Sequence, residues 1–275
     1  SWGLAFLNIL AALAIAIRWR KSGGETYDAW LGIFGAIFLV LVAASAPIEQ
    51  YFLKTYYYLT YPKEEERSTV EHRLTPYQSI DIVKLGAEWT SSFPDILAAY
   101  SRKYARSPQL PHGFALFLNR DFQFYSDVEE IYHETFAHVP MSLSGRVPQT
   151  VLVMGGGDGL LLRELVKYKE IRRIVLVEID PGMVSLFRSD ARLRALNGGA
   201  FDDARVQVVF EDAYYFIRRS EEVFDAIYLD FPAPVDFGLG KLYSQEFYSF
   251  VNRRLSPDGF VAVNTPGLAE DVETP

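Results

Sequence analysis

Cysteine is missing from all 275 residues, which excludes a disulfide framework and a thiolate metal site. Its absence suits a reducing compartment. Positive charge is in deficit. There are 27 Lys and Arg against 35 Asp and Glu, a net charge of −8, and the pI is near 5.1. That balance sets nucleic acid aside as the main ligand and suits a cationic one. Histidines at metal-binding spacing are lacking too. His133 and His138 stand five apart, whereas an H-E-x-x-H site needs i and i+4, so no metal is expected. The chain opens on Ser1 with no charged leader segment, and no small-residue cleavage site follows its first apolar run, so a signal peptide does not fit.

What is abundant is apolar surface: 49% of residues are hydrophobic and 15% aromatic. The excess gathers near the start, in residues 2–17 and in the uncharged run 30–46. Two all-round apolar helices joined by a polar linker predict a transmembrane hairpin rather than buried core helices. The tyrosine-rich stretch 51–61 suits a membrane interface, and the charged run 63–67 reads as the exit into water. The expected organisation is a membrane hairpin and interfacial segment over 1–60 and a β-rich subdomain with a helix over 61–140. A Rossmann-like nucleoside-binding domain follows over 141–275, with truncation expected at both chain ends. Within the middle part, 76–83, 114–118 and 122–125 read as strands, the last two joined as a hairpin through Asn119, Arg120 and Asp121. Helices are expected over 94–104 and 129–138.

From residue 150 the pattern alternates strand and helix, as in a doubly wound α/β sheet. Strands are expected at 150–154, 174–177, 206–210, 226–229 and 260–263. Helices are expected at 160–168, 183–196, 213–219 and 245–255. The strongest chemical signal is VLVMGGGDG, residues 151–159, followed by a helix and then LVEIDP, residues 176–181. Gly155, Gly156 and Gly157 lie at a strand-to-helix turn, where glycine lets the backbone approach a ligand. About 20 positions on, Glu178 ends the next strand, where an acid can grip both ribose hydroxyls. The dinucleotide form of the motif would need glycine at position 160, where Leu160 stands. Asp158 would also oppose a pyrophosphate, so an adenosyl sulfonium fits better than NAD or FAD.

GGGDG, VEID, FEDA (210–213), YHE (132–134) and YLDFPAP…GKLYSQEFY (228–248), in this order, resemble the spermidine synthase family over roughly residues 75–265. The likeness is greatest to its membrane-embedded bacterial branch of polyamine aminopropyltransferases. The resemblance implies transfer of the aminopropyl group of decarboxylated S-adenosylmethionine to a diamine or polyamine, with release of methylthioadenosine. It implies that Asp158 holds the aminopropyl amine, Glu178 the ribose, and Asp212 and Ala213 the adenine. Gln78 and His133 join the donor-binding set. Gln123 joins Tyr132 at the amine site, Tyr132 also faces the reacting centre, and Asp230 is the base. The residues support that last role, because a carboxylate at a strand's carboxyl end can orient an amine and accept its proton. Asp158, Asp230 and Glu129 are expected to form one acidic pocket that favours the decarboxylated donor. Gly238 and Gly240 are read as hinges of a loop closing over the amine.

The chain departs from the family pattern twice. Ala233 stands where the second Asp of D-x-x-D-P belongs, and Val128 replaces the Asp before Glu129; both changes weaken the case for putrescine. Structural roles compete as well: Asp158 and Asp212 could each cap a helix, and Asp230 could be a turn residue. The partners expected are the amine, the lipid bilayer and, as an assembly left open, a homodimer. Arg18, Arg20 and Lys21 between the spans would by charge alone put that linker in the cytoplasm. The implied cytosolic donor instead argues for a multi-pass protein of the inner membrane with its catalytic domain on the cytoplasmic side. The competing functions are a methyltransferase on the same fold and a non-catalytic membrane protein that binds polyamines or nucleosides.

Overall fold

The computed structural model describes residues 47–57, 70–84, 113–234 and 237–264. Two compact units, Ser1–Pro62 and Lys63–Pro275, make up the chain. In the first, residues 47–57 are helical. Both expected spans, 2–17 and 30–46, and the expected helix 94–104 lie outside the described residues. The expected placement as a multi-pass membrane protein is corrected: among the described residues no helix is long and apolar enough to cross a membrane.

The second unit begins with four antiparallel strands in chain order, β1 (Val70–Leu74), β2 (Ser79–Lys84), β3 (Phe114–Leu118) and β4 (Asp121–Tyr125). β1 is an addition to the expected strands, and the second strand begins at Ser79 because residues 75–78 form a turn. There Thr75 Oγ1 accepts from the Gln78 amide at 3.0 Å. Between β3 and β4, Asn119 (φ 51°) and Arg120 (φ 71°) both take left-handed backbone, as a tight two-residue hairpin turn requires. Helix α1 (Glu129–Ser144) follows and runs past its expected end, with Pro140 inside it, to a left-handed Gly145.

Five parallel strands then form a sheet in the order β7-β6-β5-β8-β9. They are β5 (Thr150–Gly155), β6 (Arg173–Glu178), β7 (Val206–Phe210), β8 (Phe224–Asp230) and β9 (Leu255–Val263). β5, β6 and β8 read as near-continuous apolar runs because helices cover both faces of the middle of such a sheet. Val151, Leu152 and Val153 of β5 are fully buried. Short helices connect the strands: α2 (Leu160–Leu165), α3 (Pro181–Ser189), α4 (Ala191–Leu196), α5 (Ala213–Arg219), α6 (Phe237–Gly240) and α7 (Gln245–Arg253). The helix expected over 183–196 is two helices. Asp190 leaves the helical conformation, and its side chain caps α4 by accepting from the Arg192 and Leu193 amides.

The chain leaves β5 toward β6 on one side and later returns to place β8 on the other. A crevice opens beyond the carboxyl ends of strands at such a reversal. The antiparallel sheet borders it, sharing one continuous core with the parallel sheet: Ile80, Ile82, Leu116 and Phe124 pack in the same cluster as Val151, Val153 and Leu176.

Candidate active site

The crevice is a cleft of about 360 Å³. Strand ends supply much of its wall. β5 turns into α2 through Gly155, Gly156, Gly157 and Asp158, β6 ends on Glu178, β8 ends on Asp230, and Asp212 and Ala213 begin α5. Gln78 and Gln123 reach the same cleft from the antiparallel sheet. Two of the glycines are there for close approach. A Cβ on Gly155, whose φ is +82°, would lie 2.1 Å from the Asp230 carbonyl oxygen, and one on Gly157 would lie 2.7 Å from Glu178 Oε2.

Three carboxylates of the cleft are held in water-poor surroundings, and no salt bridge reaches them among the described residues. Burial pushes Asp158 up, against the opposing pull of His133 and of the Leu160 amide that donates to Asp158 Oδ1 at 2.8 Å. Burial, with the nearby Asp158 charge, pushes Asp230 up to about 6, although His133 and a hydrogen bond from Tyr132 pull it down. That bond runs from Tyr132 Oη to Asp230 Oδ1 at 2.6 Å. Burial pushes Glu178 up to about 7, against hydrogen bonds from the Asp180 and Ile179 amides. Desolvation of an anion has this sign, and a bound cation would relieve it. The Tyr132 phenol is raised by burial and by Asp230, so it stays protonated and acts as a donor.

Ten of the predicted residues, Gln78, Gln123, Gly155, Gly156, Gly157, Asp158, Glu178, Asp212, Ala213 and Asp230, share this cleft. Tyr132 reaches it through its hydroxyl and lines a second cleft beside it. His133 lines neither cleft. It is buried, with Nδ1 directed at the Glu129 carbonyl (2.7 Å) and at Glu129 Oε2 (2.9 Å). Burial alone would lower the imidazole, but Glu129, Asp158 and Asp230 outweigh it and raise it. The expected acidic pocket therefore needs one correction. Glu129 is not a free acid of the cleft: it forms a two-pronged pair with Arg163, at 2.6 and 3.0 Å, because an Arg one helix away can satisfy both its oxygens.

The capping roles are present alongside the cleft positions. Asp212 caps α5 by accepting from the Tyr214 amide at 2.9 Å. Its other oxygen binds Lys241, which follows the short α6. The segment expected as a lid, with Gly238 and Lys241, thus lines the cleft and is tied to its wall at Asp212.

Asp180 was not among the predicted residues. It is fully buried, caps α3 through the Gly182 amide at 2.9 Å, and accepts from Thr75 Oγ1 (2.9 Å) and Gln78 Nε2 (2.8 Å). It therefore fixes the Gln78 amide at the cleft wall. The signal was present in Asp180 followed by Pro181, a helix start, but the partners over a hundred residues upstream were not readable. Among the described residues no group of three or more His, Asp or Glu could hold a metal ion.

The spermine/spermidine synthase domain matches residues 129–270. Among similar curated proteins, polyamine aminopropyltransferase 1 of Streptomyces coelicolor is 43% identical over 176 residues, 64% of this chain and 32% of the relative. The polyamine aminopropyltransferase of Leptospira interrogans is 38% identical over 187 residues, 67% of this chain and 37% of the relative. A spermidine synthase crystallised with the transition-state analogue AdoDATO superposes with a TM-score of 0.60 at 27% identity, covering 74% of this chain and 60% of that one. The spermidine synthase from Thermotoga maritima gives 0.58 at 27% identity, over 74% and 59%. The chain spans about a third of the length of the curated relatives it matches.

Proposed function

The chain belongs to the spermine/spermidine synthase family, and from that premise we propose that it moves an aminopropyl group from decarboxylated S-adenosylmethionine to an amine of the diamine or polyamine class. The observation that carries this reading is the set of desolvated carboxylates Asp158, Glu178 and Asp230 along one cleft edge, which no Lys or Arg salt bridge reaches among the described residues. Such a site is organised for a ligand bearing hydroxyls and positive charge.

In this reading Glu178 accepts from the two ribose hydroxyls, and Asp212 and Ala213 border the adenine. Asp158 faces the amine at the end of the donor's aminopropyl arm. A carboxylate on the donor would meet Asp158 as a like charge, which favours the decarboxylated form. Asp230 orients the acceptor nitrogen, with Tyr132 holding Oδ1 so that Oδ2 is left for the substrate. The nitrogen lone pair forms a bond to the carbon next to the sulfonium, the carbon–sulfur bond breaks, and its electrons leave on methylthioadenosine. Asp230 takes the proton released by the amine. A base whose pKa is about 6 is ionised at neutral pH yet still basic enough to serve. Most of the rate then comes from alignment, because the sulfonium is already a good leaving group.

The test is incubation with each donor, carboxylated and decarboxylated, across an amine panel, with methylthioadenosine and S-adenosylhomocysteine both measured. Methylthioadenosine from the decarboxylated donor alone is the expected result. S-Adenosylhomocysteine would make the chain a methyltransferase, and neither product would leave a binding protein.

A further inference from the structure

Three donors from two parts of the chain converge on the buried carboxylate of Asp180. The Gly182 amide donates to Oδ1 at 2.9 Å, while Thr75 Oγ1 and Gln78 Nε2 donate to Oδ2 at 2.9 and 2.8 Å. The Asp180 backbone amide in turn donates to Glu178 Oε1 at 2.9 Å. We infer that Asp180 is a positioning residue for the nucleoside: by fixing which end of the Gln78 amide lies beside Glu178, it makes those two side chains read a ribose hydroxyl. This inference rests on the placement of the ribose at Glu178 in the reading above, and it adds the residue that orients a second contact there.

The sense of the amide follows from what each atom can do. A carboxylate only accepts, so the end of Gln78 that meets Asp180 Oδ2 must be its NH2. Thr75 Oγ1 accepts from the Tyr77 and Gln78 backbone amides at 3.1 and 3.0 Å. Its one hydrogen is left to donate, which ties the turn carrying Gln78 to the same acid.

Gln78 and Glu178 both line the cleft, and each is joined to Asp180 by a hydrogen bond. Nε2 has two hydrogens, and Asp180 takes one. A ligand hydroxyl can give its hydrogen to Glu178 Oε2, the oxygen that approaches the glycine turn at Gly157, and accept the second Gln78 N–H on its own oxygen. An ammonium has no lone pair to accept that N–H. A deoxy sugar offers neither hydrogen nor lone pair at that place. The pair therefore selects a hydroxyl.

Asp180→Asn tests this, because Asn still caps a helix. With Oδ1 kept on the Gly182 amide, its NH2 faces Thr75 and Gln78, and Gln78 must turn its carbonyl to meet it. The cleft then offers two acceptors to a hydroxyl that has one hydrogen.

The experiment is calorimetry of methylthioadenosine and its two monodeoxyribose analogues against the whole chain, as wild type, Asp180→Asn, Gln78→Met and the double variant. Asp180→Asn should weaken methylthioadenosine about tenfold and shrink the wild-type preference over at least one deoxy analogue by a similar factor. Gln78→Met, which leaves the helix cap alone, should do the same. Adding Asp180→Asn to Gln78→Met should then cost less than about twofold more, since neighbours that act through each other are not additive. Equal losses in both backgrounds would make Asp180 merely structural and overturn the inference, as would an unchanged preference in Asp180→Asn. If Asp180→Asn does not fold, an unchanged ribose preference in Gln78→Met overturns it. Binding in the expected ratios without methylthioadenosine release from the decarboxylated donor fails the transfer reading alone. A wild-type chain that binds none of the three nucleosides overturns both.

Discussion

Two sets of buried carboxylates lie close together and behave in opposite ways. Glu129 and Glu164, behind the cleft, are buried, as is Glu178 in its wall, while Asp158 and Asp230 are half-buried. Yet His133 and Arg163 hold Glu129, and Lys167 and Arg163 hold Glu164, below their ordinary range against the upward push of burial. Asp158, Asp230 and Glu178 are raised by the same burial because no Lys or Arg salt bridge reaches them among the described residues. A buried acid with a built-in cation is structure. One whose counter-charge is missing is poised for a ligand that brings it, and such groups gather at functional sites.

The largest expected effect comes from removing an acid of the ligand-seeking set. Asp230→Asn should lower kcat/KM for methylthioadenosine release by about 100- to 10,000-fold while the fold survives. Because its native pKa lies above the ordinary carboxylate value, Asp230 weakens the fold as pH rises from about 4 through about 6. The Asn variant should therefore melt higher than wild type at pH 8, with no difference left at pH 3. A lower melting point at pH 8 would mean that Asp230 is a structural acid.

The paired set should fail in the other way. Arg163→Met strands Glu129 and Glu164 without their guanidinium and should cost about 3–5 kcal/mol in urea denaturation. If stability is unchanged, the division between the two sets does not hold.

Asp158→Asn should narrow the preference for the decarboxylated donor by roughly tenfold or more, about 1.4 kcal/mol, seen as calorimetric affinities for the two donors drawing together. Wild-type protein that binds the carboxylated donor equally well would remove Asp158 from donor choice. The smallest effect is expected from Ala233→Asp, which supplies an anion directly after Pro232 of the cleft wall and should raise putrescine turnover several-fold, on the scale of one exposed charge interaction of about 1 kcal/mol.

Much of this arrangement was legible before any coordinates. All five strands of the parallel sheet were readable, since buried strands in such sheets are short apolar runs bounded by turn residues. Glu178 and Asp230 could be placed at strand ends, and Asp158 in the glycine-rich turn after β5, by counting along the chain. β1 was not readable: VEHRL (70–74) carries no strand alternation and is held by pairing with β2. Nor could periodicity alone locate the break at Asp190, where a side chain caps the next helix.

The amino-acid order by itself determined the α/β class, the glycine turn and the acids that end β6 and β8, because these depend on local geometry and on spacing within a few dozen residues. Only the tertiary structure decided which acids are charged partners and which are open to a ligand. Glu129 looked like a cleft acid until folding brought Arg163 to within 2.6 Å of it. Asp180 looked like a helix cap until Gln78 arrived from the other sheet. Counter-charge and desolvation depend on what lies within a few ångströms in space, and sequence distance carries no record of that.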